Sequence, residues 1–127
     1  MNKTLILLLR IAVAVILIQT LRFKFTGHPD SVYIFTQVGL EPNGRIGIGI
    51  IELISAVLIL ISRTVWIGAG LTLGIIGGAI IMHATSLGVE INGDGGVLFY
   101  TAIATFIMSL VVLWAVRATI PFWPKRS

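Results

Sequence analysis

Four stretches of about twenty residues, nearly free of charge, run approximately over Thr4–Leu21, Arg45–Ile61, Val65–Ser86 and Val97–Val116. A hydrocarbon layer about 30 Å thick is crossed by a helix of about 17–25 mostly apolar residues, and each stretch meets that requirement. Four of them in 127 residues leave little chain for anything else. The predicted fold class is all-α and integral to a membrane: one bundle of four transmembrane helices spanning residues 1–127. The composition explains why water is excluded as the surrounding solvent. Hydrophobic residues make up 57% and charged residues 11% of the chain, and the mean hydropathy is +1.05, whereas a soluble domain carries about 25% charge. Lys3 ahead of an apolar run resembles a secretory leader. Arg10 interrupts that run, however, and Gln19-Thr20-Leu21-Arg22 lacks a small-x-small cleavage pattern, so a retained helix is expected.

The connections define the order of the spans. Ser62-Arg63-Thr64 is short enough to force spans two and three into an antiparallel hairpin. Asn92-Gly93-Asp94-Gly95-Gly96 is a dense turn signal between spans three and four. The longest connection, Arg22–Gly44, contains Pro29 where a helix can begin, then Val32, Phe35, Val38 and Gly39 at roughly helical spacing, and Glu41-Pro42-Asn43-Gly44 at its end. A short amphipathic helix at the membrane interface is predicted there.

The formal charge of +4 does not indicate a nucleic-acid partner, because the basic residues are scattered and form no phosphate-binding stripe. They act as topology signals. Lys3, Arg63, Arg117, Lys125 and Arg126 fall on one side, while Arg22, Lys24 and Arg45 on the other are offset by Asp30, Glu41, Glu90 and Asp94. This asymmetry predicts both termini in the cytoplasm. Trp66, Trp114 and Trp123 then mark one interface, and Phe23, Phe25, Tyr33, Phe99 and Tyr100 the other. The absence of cysteine excludes disulfides, thiol nucleophiles, CxxC pairs and cysteine-ligated clusters. Any electron transfer would need a partner.

A charge at the centre of a span costs on the order of 2.5–3.5 kcal/mol on insertion scales, so Arg10 and Glu52 call for partners. At ~1.5 Å per residue they differ in depth by about 5–6 Å, within joint reach, and an Arg10–Glu52 pair or shared polar pocket is expected. Arg45, Gly49, Glu52 and Ala56 share one stripe of span two, which should face inward. Gly70, Gly74 and Gly78 form a small-xxx-small series expected to pack helices closely, either within the bundle or between copies of the chain. Thr101, Thr105 and Ser109 share a face of span four, where they either bond their own helix carbonyls or line a cavity.

Near the other end, Gln19, Arg22, Lys24, His83, Glu90 and Asp94 reach similar depth, an environment that can tune an imidazole for proton handling. Glu90–Asp94 has too few correctly spaced carboxylates for a calcium loop, and His28 lies in a connection, which removes a haem reading. No metal site and no intrinsic cofactor is expected. The candidate ligand-binding pocket comprises Arg10, Gln19, Lys24, Arg45, Glu52, His83 and Glu90, with no catalytic residue assigned.

Several segments together resemble the DoxX-like family of small four-helix bacterial membrane proteins. They are Leu-Gln-Thr-Leu-Arg-Phe-Lys-Phe-Thr-Gly closing span one, Ser-Val-Tyr-Ile-Phe and Val-Gly-Leu-Glu-Pro-Asn-Gly-Arg-Ile-Gly in the connection, Ile51-Glu52-Leu53-Ile54, His83, and Gly88-Val89-Glu90-Ile91-Asn92-Gly93-Asp94-Gly95-Gly96. The resemblance implies the fold, the topology and a pocket lined by Arg10, Lys24, Glu52 and His83. The family takes its name from proteins associated with a thiosulfate:quinone oxidoreductase. Three functions follow as expectations: a membrane subunit of a redox assembly that binds a quinone headgroup and docks an oxidoreductase partner, a structural or assembly partner, and a small-solute or proton pathway.

Overall fold

The computed structural model describes residues 2–91 and 93–124. Lys125 and Arg126, used above for topology, and Asn92 of the turn lie outside them. Five α-helices follow one another: α1 Lys3–Thr26, α2 Pro29–Gln37, α3 Asn43–Leu60, α4 Val65–Met82 and α5 Val97–Ala115. A π turn, His83–Leu87, extends α4, and a 3₁₀ turn, Arg117–Thr119, follows α5. No strand occurs among the described residues. Four of the helices, with the π turn counted into α4, are long and apolar enough to cross a membrane, so the chain is a multi-pass membrane protein.

The spans close into a ring in the order α1, α3, α4, α5 and back to α1, with α2 laid across one end against α1, α3 and the π turn. Local chemistry sets each boundary. Asn2 Oδ1 accepts from Thr4 N at 2.7 Å to start α1, and Gly27 ends it at a φ of +69°. Pro29 occupies the first turn of α2, where a missing N–H leaves no bond unmade. The interfacial helix is thus present as expected. Asn43 and Gly44, expected to close the connection, form the first turn of α3 instead.

One half of the bundle is dry. Val13, Ala14 and Leu17 of α1 meet Ala56 and Ile59 of α3, Val65 and Ala69 of α4, and Val112 of α5, each at most 3% exposed. The apolar residues that remain exposed, Leu8, Val15, Ile50, Val57 and Ile107 among them, cover the outside of the ring. An apolar exterior fits lipid. Trp66 stacks edge-on with Phe122, Trp114 with Trp123, and Arg117 lies 4.1 Å over the Trp114 ring, forming the aromatic rim at the end that carries the termini.

Close packing of α3 on α4 uses a glycine that the series did not include. A Cβ on Gly68 would stand 2.4 Å from Ile59 N, whereas nothing lies within 4 Å of where one would stand on Gly70, Gly74 or Gly78. Within this chain the Gly70/Gly74/Gly78 face is therefore not a helix–helix contact. The hairpin turn is so tight that α4 leans on the last turn of α3 at Gly68, while Gly70, Gly74 and Gly78 lie off that contact. Gly68→Leu is expected to lower stability by on the order of 1–3 kcal/mol or to prevent folding, while Gly70→Leu leaves it unchanged. Thermal unfolding of both variants in detergent checks this.

Candidate functional site

Glu52 is where the sequence pattern and the packing meet. The stripe Arg45, Gly49, Glu52 and Ala56 turns inward as expected, with Gly49, Glu52 and Ala56 buried. Glu52 is 2% exposed, and its Oε1 lies 2.9 Å from Lys24 Nζ of α1. Thr20, one turn before Lys24, places its hydroxyl 2.8 Å from Glu52 Oε2 and 2.8 Å from its own helix carbonyl at Leu17. An ion pair and a hydroxyl thus satisfy the carboxylate across the α1–α3 seam.

Arg10 does not join them. Its Nε donates to Ile59 O at 2.8 Å and its Nη2 to Leu60 O at 2.9 Å. The expected Arg10–Glu52 pair is replaced by a cap on the end of α3, for a physical reason. The last carbonyls of a helix have no partner along the chain and carry the negative end of its dipole, and they lie nearer to Arg10 than Glu52 does. Arg45 is likewise engaged outside the pocket: its Nε lies 2.9 Å from Glu41 Oε1, and Nη1 donates to Lys24 O, which ends α1 and steadies the turn that presents Lys24.

Above the dry layer the four spans part around a cavity of about 590 Å³. Lys24, Glu52 and Thr20 line one wall, and His83 and Asp94 also reach it. Ser31, Ile34 and Phe35 of α2 close the end. Of the seven residues expected to form the pocket, Lys24, Glu52 and His83 line it; Arg10, Gln19, Arg45 and Glu90 do not. Gln19 sits two positions from buried Leu17 and points to the outside of α1, and Glu90 is exposed in the loop, where its Oε1 accepts from Gly95 N at 3.2 Å. Similar depth along the bundle had grouped them, but their direction around the helix separates them.

His83 is 5% exposed and begins the π turn, a departure from α-helical winding that recurs at functional sites. Its Nδ1 lies 2.8 Å from Gly88 O, and since a carbonyl only accepts, Nδ1 carries the proton. In the neutral ring Nε2 is then an acceptor. Phe99 stands against the ring at 5.3 Å between centroids. Thr105 donates to Thr101 O at 2.8 Å and both line the cavity, whereas Ser109 of the same face is buried away from it with its hydroxyl unpartnered among the described residues.

Asp94 was absent from the expected pocket. It organises the loop that carries α5: Oδ1 accepts from Ile91 N at 3.0 Å and Gly96 N at 2.7 Å, and Oδ2 from Leu98 N at 3.2 Å. An acidic residue just before a helix is the signal for such a cap. The Ile91 bond is the largest influence holding its carboxyl below the usual carboxylate range. Desolvation opposes it, and the Gly96 and Leu98 bonds and the electrostatic influence of nearby His83 reinforce it.

Compared with known families, residues 5–85 match the DoxX family model, a segment that takes in α1 to α4 together with Lys24, Glu52 and His83. Comparison with curated proteins and with solved structures gave no match.

Removing one partner of a buried pair strands the other charge. Lys24→Met is expected to destabilise the protein by on the order of 3 kcal/mol, and Lys24→Met combined with Glu52→Leu to recover most of that loss; denaturant titrations of the single and double variants test it. Because the folded Asp94 value is lowered, its contribution is complete above the ordinary carboxylate range and is lost as pH falls through the lowered value. The thermal midpoint should therefore drop below about pH 4, and Asp94→Asn should flatten that part of the profile.

Proposed function

The chain belongs to the DoxX family, and from that premise we propose that it is the membrane subunit of a redox-linked assembly, holding the head of a quinone-class molecule in its bundle cavity. The cavity itself carries this reading: about 590 Å³ in size, with mostly apolar walls and a few convergent polar groups. That is the form of a small-molecule site. Lys24 has three donors and only one faces Glu52 Oε1, so the ammonium retains donors for a ring carbonyl. His83, with its tautomer fixed by Gly88 O, offers a second polar contact from another helix. A quinone supplies reversible two-electron, two-proton chemistry when bound. In this chain Lys24 and His83 would orient the ring, the aliphatic wall would exclude water, and electrons would come from a docked oxidoreductase partner, since the sequence has no cysteine for a relay. We place the chain in the bacterial cytoplasmic membrane with both termini inside, which puts the polar end of the cavity on the outer side.

Binding is favoured over a solute or proton pathway because the cavity ends on the dry layer of Val13, Leu17, Ile59 and Val112. Ser55 and Thr72, also buried, spend their hydroxyls on their own helix carbonyls. The assembly reading keeps one observation, the uncovered Gly70/Gly74/Gly78 face of α4.

Calorimetric titration of the purified protein with benzoquinone and naphthoquinone heads tests the proposal. Lys24→Met and His83→Ala should each weaken binding about tenfold, the worth of one charge-assisted hydrogen bond. Arg10→Ala should lower stability and leave affinity intact. If neither head binds at millimolar concentration, the proposal fails.

A further inference from the structure

We propose that the cavity opens sideways into the lipid between α3 and α4, at Gly74 and Gly78, and that this opening passes the hydrocarbon tail of the molecule whose head lies at Lys24, Glu52 and His83. This rests on the head-binding reading above and adds where the rest of the ligand goes.

Near their shared turn the two helices are clamped, since Gly68 leaves no room for a Cβ against Ile59. Beyond that point α4 turns Gly77 toward Phe106 of α5, while Ile75, Gly78 and Met82 lie on the other side of the helix and line the cavity. On α3, Ile48 shares a flank with Ile59, the residue that meets Gly68, and it also lines the cavity. The cavity therefore reaches the α3–α4 seam. Gly74 lines it and is at the same time exposed on the outside of the bundle, which makes it part of the rim. Nothing stands within 4 Å of a Cβ position on Gly74 or Gly78. The opposite flank, between α1 and α5, is lined by Ile16, Phe23 and Val97, and neither of those helices contributes a glycine to the cavity.

Depth decides what such an opening admits. Gly74 lies nine residues beyond Val65, the start of α4, or about 14 Å along the axis, near the middle of a hydrocarbon layer about 30 Å thick. Outside the rim at that level is acyl chain, and water is absent. A ligand using this opening is therefore lipid-soluble and amphipathic, with its polar end toward α2 and its tail leaving over bare glycine. Lipid is as apolar as the cavity wall, so the tail gains little affinity from the route. Its dependence on the route is steric.

The test compares a decyl-tailed benzoquinone with the same benzoquinone lacking the tail, each titrated against the protein in lipid nanodiscs. Leucine at position 74 or 78 is built into open space, so Gly74→Leu and Gly78→Leu should fold, as thermal unfolding will report. Both should weaken the tailed compound on the order of tenfold or more by occupying its path, while the tailless compound binds as before. Gly70→Leu lies on the same series but lines no part of the cavity, and it should change neither. Unchanged binding of the tailed compound in Gly74→Leu overturns the proposal, as does its loss in Val97→Trp alone, which would put the route between α1 and α5. Equal loss of both compounds in Gly70→Leu and Gly74→Leu, together with a change in oligomeric state, overturns it in favour of contact between copies. If the unsubstituted protein binds the tailless head but excludes the tailed one, only this inference falls. If it binds neither, the head-binding reading falls with it.

Discussion

In a hydrocarbon layer no water stands by to satisfy a stray donor or acceptor, so each polar group within the spans has to find its partner inside the protein. That constraint sorts the polar residues of this chain, buried Ser109 Oγ being an exception without a partner among the described residues. Ser55, Thr72 and Thr105 donate to the carbonyl four residues back on their own helices, at 2.9, 2.8 and 2.8 Å, and so remain helical at little cost. Arg10 cannot be satisfied locally and reaches across to the end of α3. Glu52 cannot either, and draws Lys24 and Thr20 toward it. Two groups of charged contacts between α1 and α3 result, Arg10 on the end of α3 and, toward the other end, Glu52 and Arg45 on Lys24. They fix the relative height of the two helices more sharply than apolar packing could, since lipid offers a Leu the same environment as a neighbouring helix does.

These two groups of contacts also divide the bundle. Below Glu52 the seam is filled by Ala14, Leu17, Ala56 and Ile59, and the helices touch. Around Glu52 the ion pair holds α1 to α3 through side chains of considerable length, and on α4 two glycines among Ile75, Ile76 and Met82 leave part of the middle unfilled. Gly74 and Gly78 face the resulting space. A hollow in a membrane bundle collapses unless something holds its walls apart. Here α2 does so from above, with Phe35 and Ser31 buried against the spans, and the π turn braces the far side.

The number of spans, the interfacial helix and the inward stripe of α3 were legible in the sequence, because hydropathy and periodicity report directly on which faces meet lipid, water or protein. Lys24 was harder to place. The apolar run ends near Leu21, which puts Lys24 at a rim, but α1 continues to Thr26 and stops only where Gly27 takes a positive φ. The extra turn keeps Lys24 on the face of Leu17 and Thr20. The partner of Arg10 was illegible for another reason: helix-end carbonyls exist whatever the side chains are, so no residue pattern announces them. The glycine series is ambiguous in principle. The same spacing serves a close helix contact and a deliberate gap, and only the position of α3 tells them apart.

The charges around the cavity are held by the fold before any ligand arrives. Lys24 stands in the last turn of α1, where the helix dipole favours a cation, and Asp94 stands ahead of α5, where it favours an anion. Both helix ends lie on the same side of the bundle because α1 and α5 run in opposite directions. Antiparallel packing thus delivers a positive and a negative group to one end of one cavity, Lys24 held by Glu52 and Asp94 by the amides that lead into α5. Gly88 O fixes the proton on His83 in the same way. A molecule placed among these groups meets donors and acceptors already oriented, so little of its binding free energy is lost to ordering them. The arrangement that makes buried charge tolerable in lipid is the one that leaves oriented polar groups at one end of an otherwise apolar cavity.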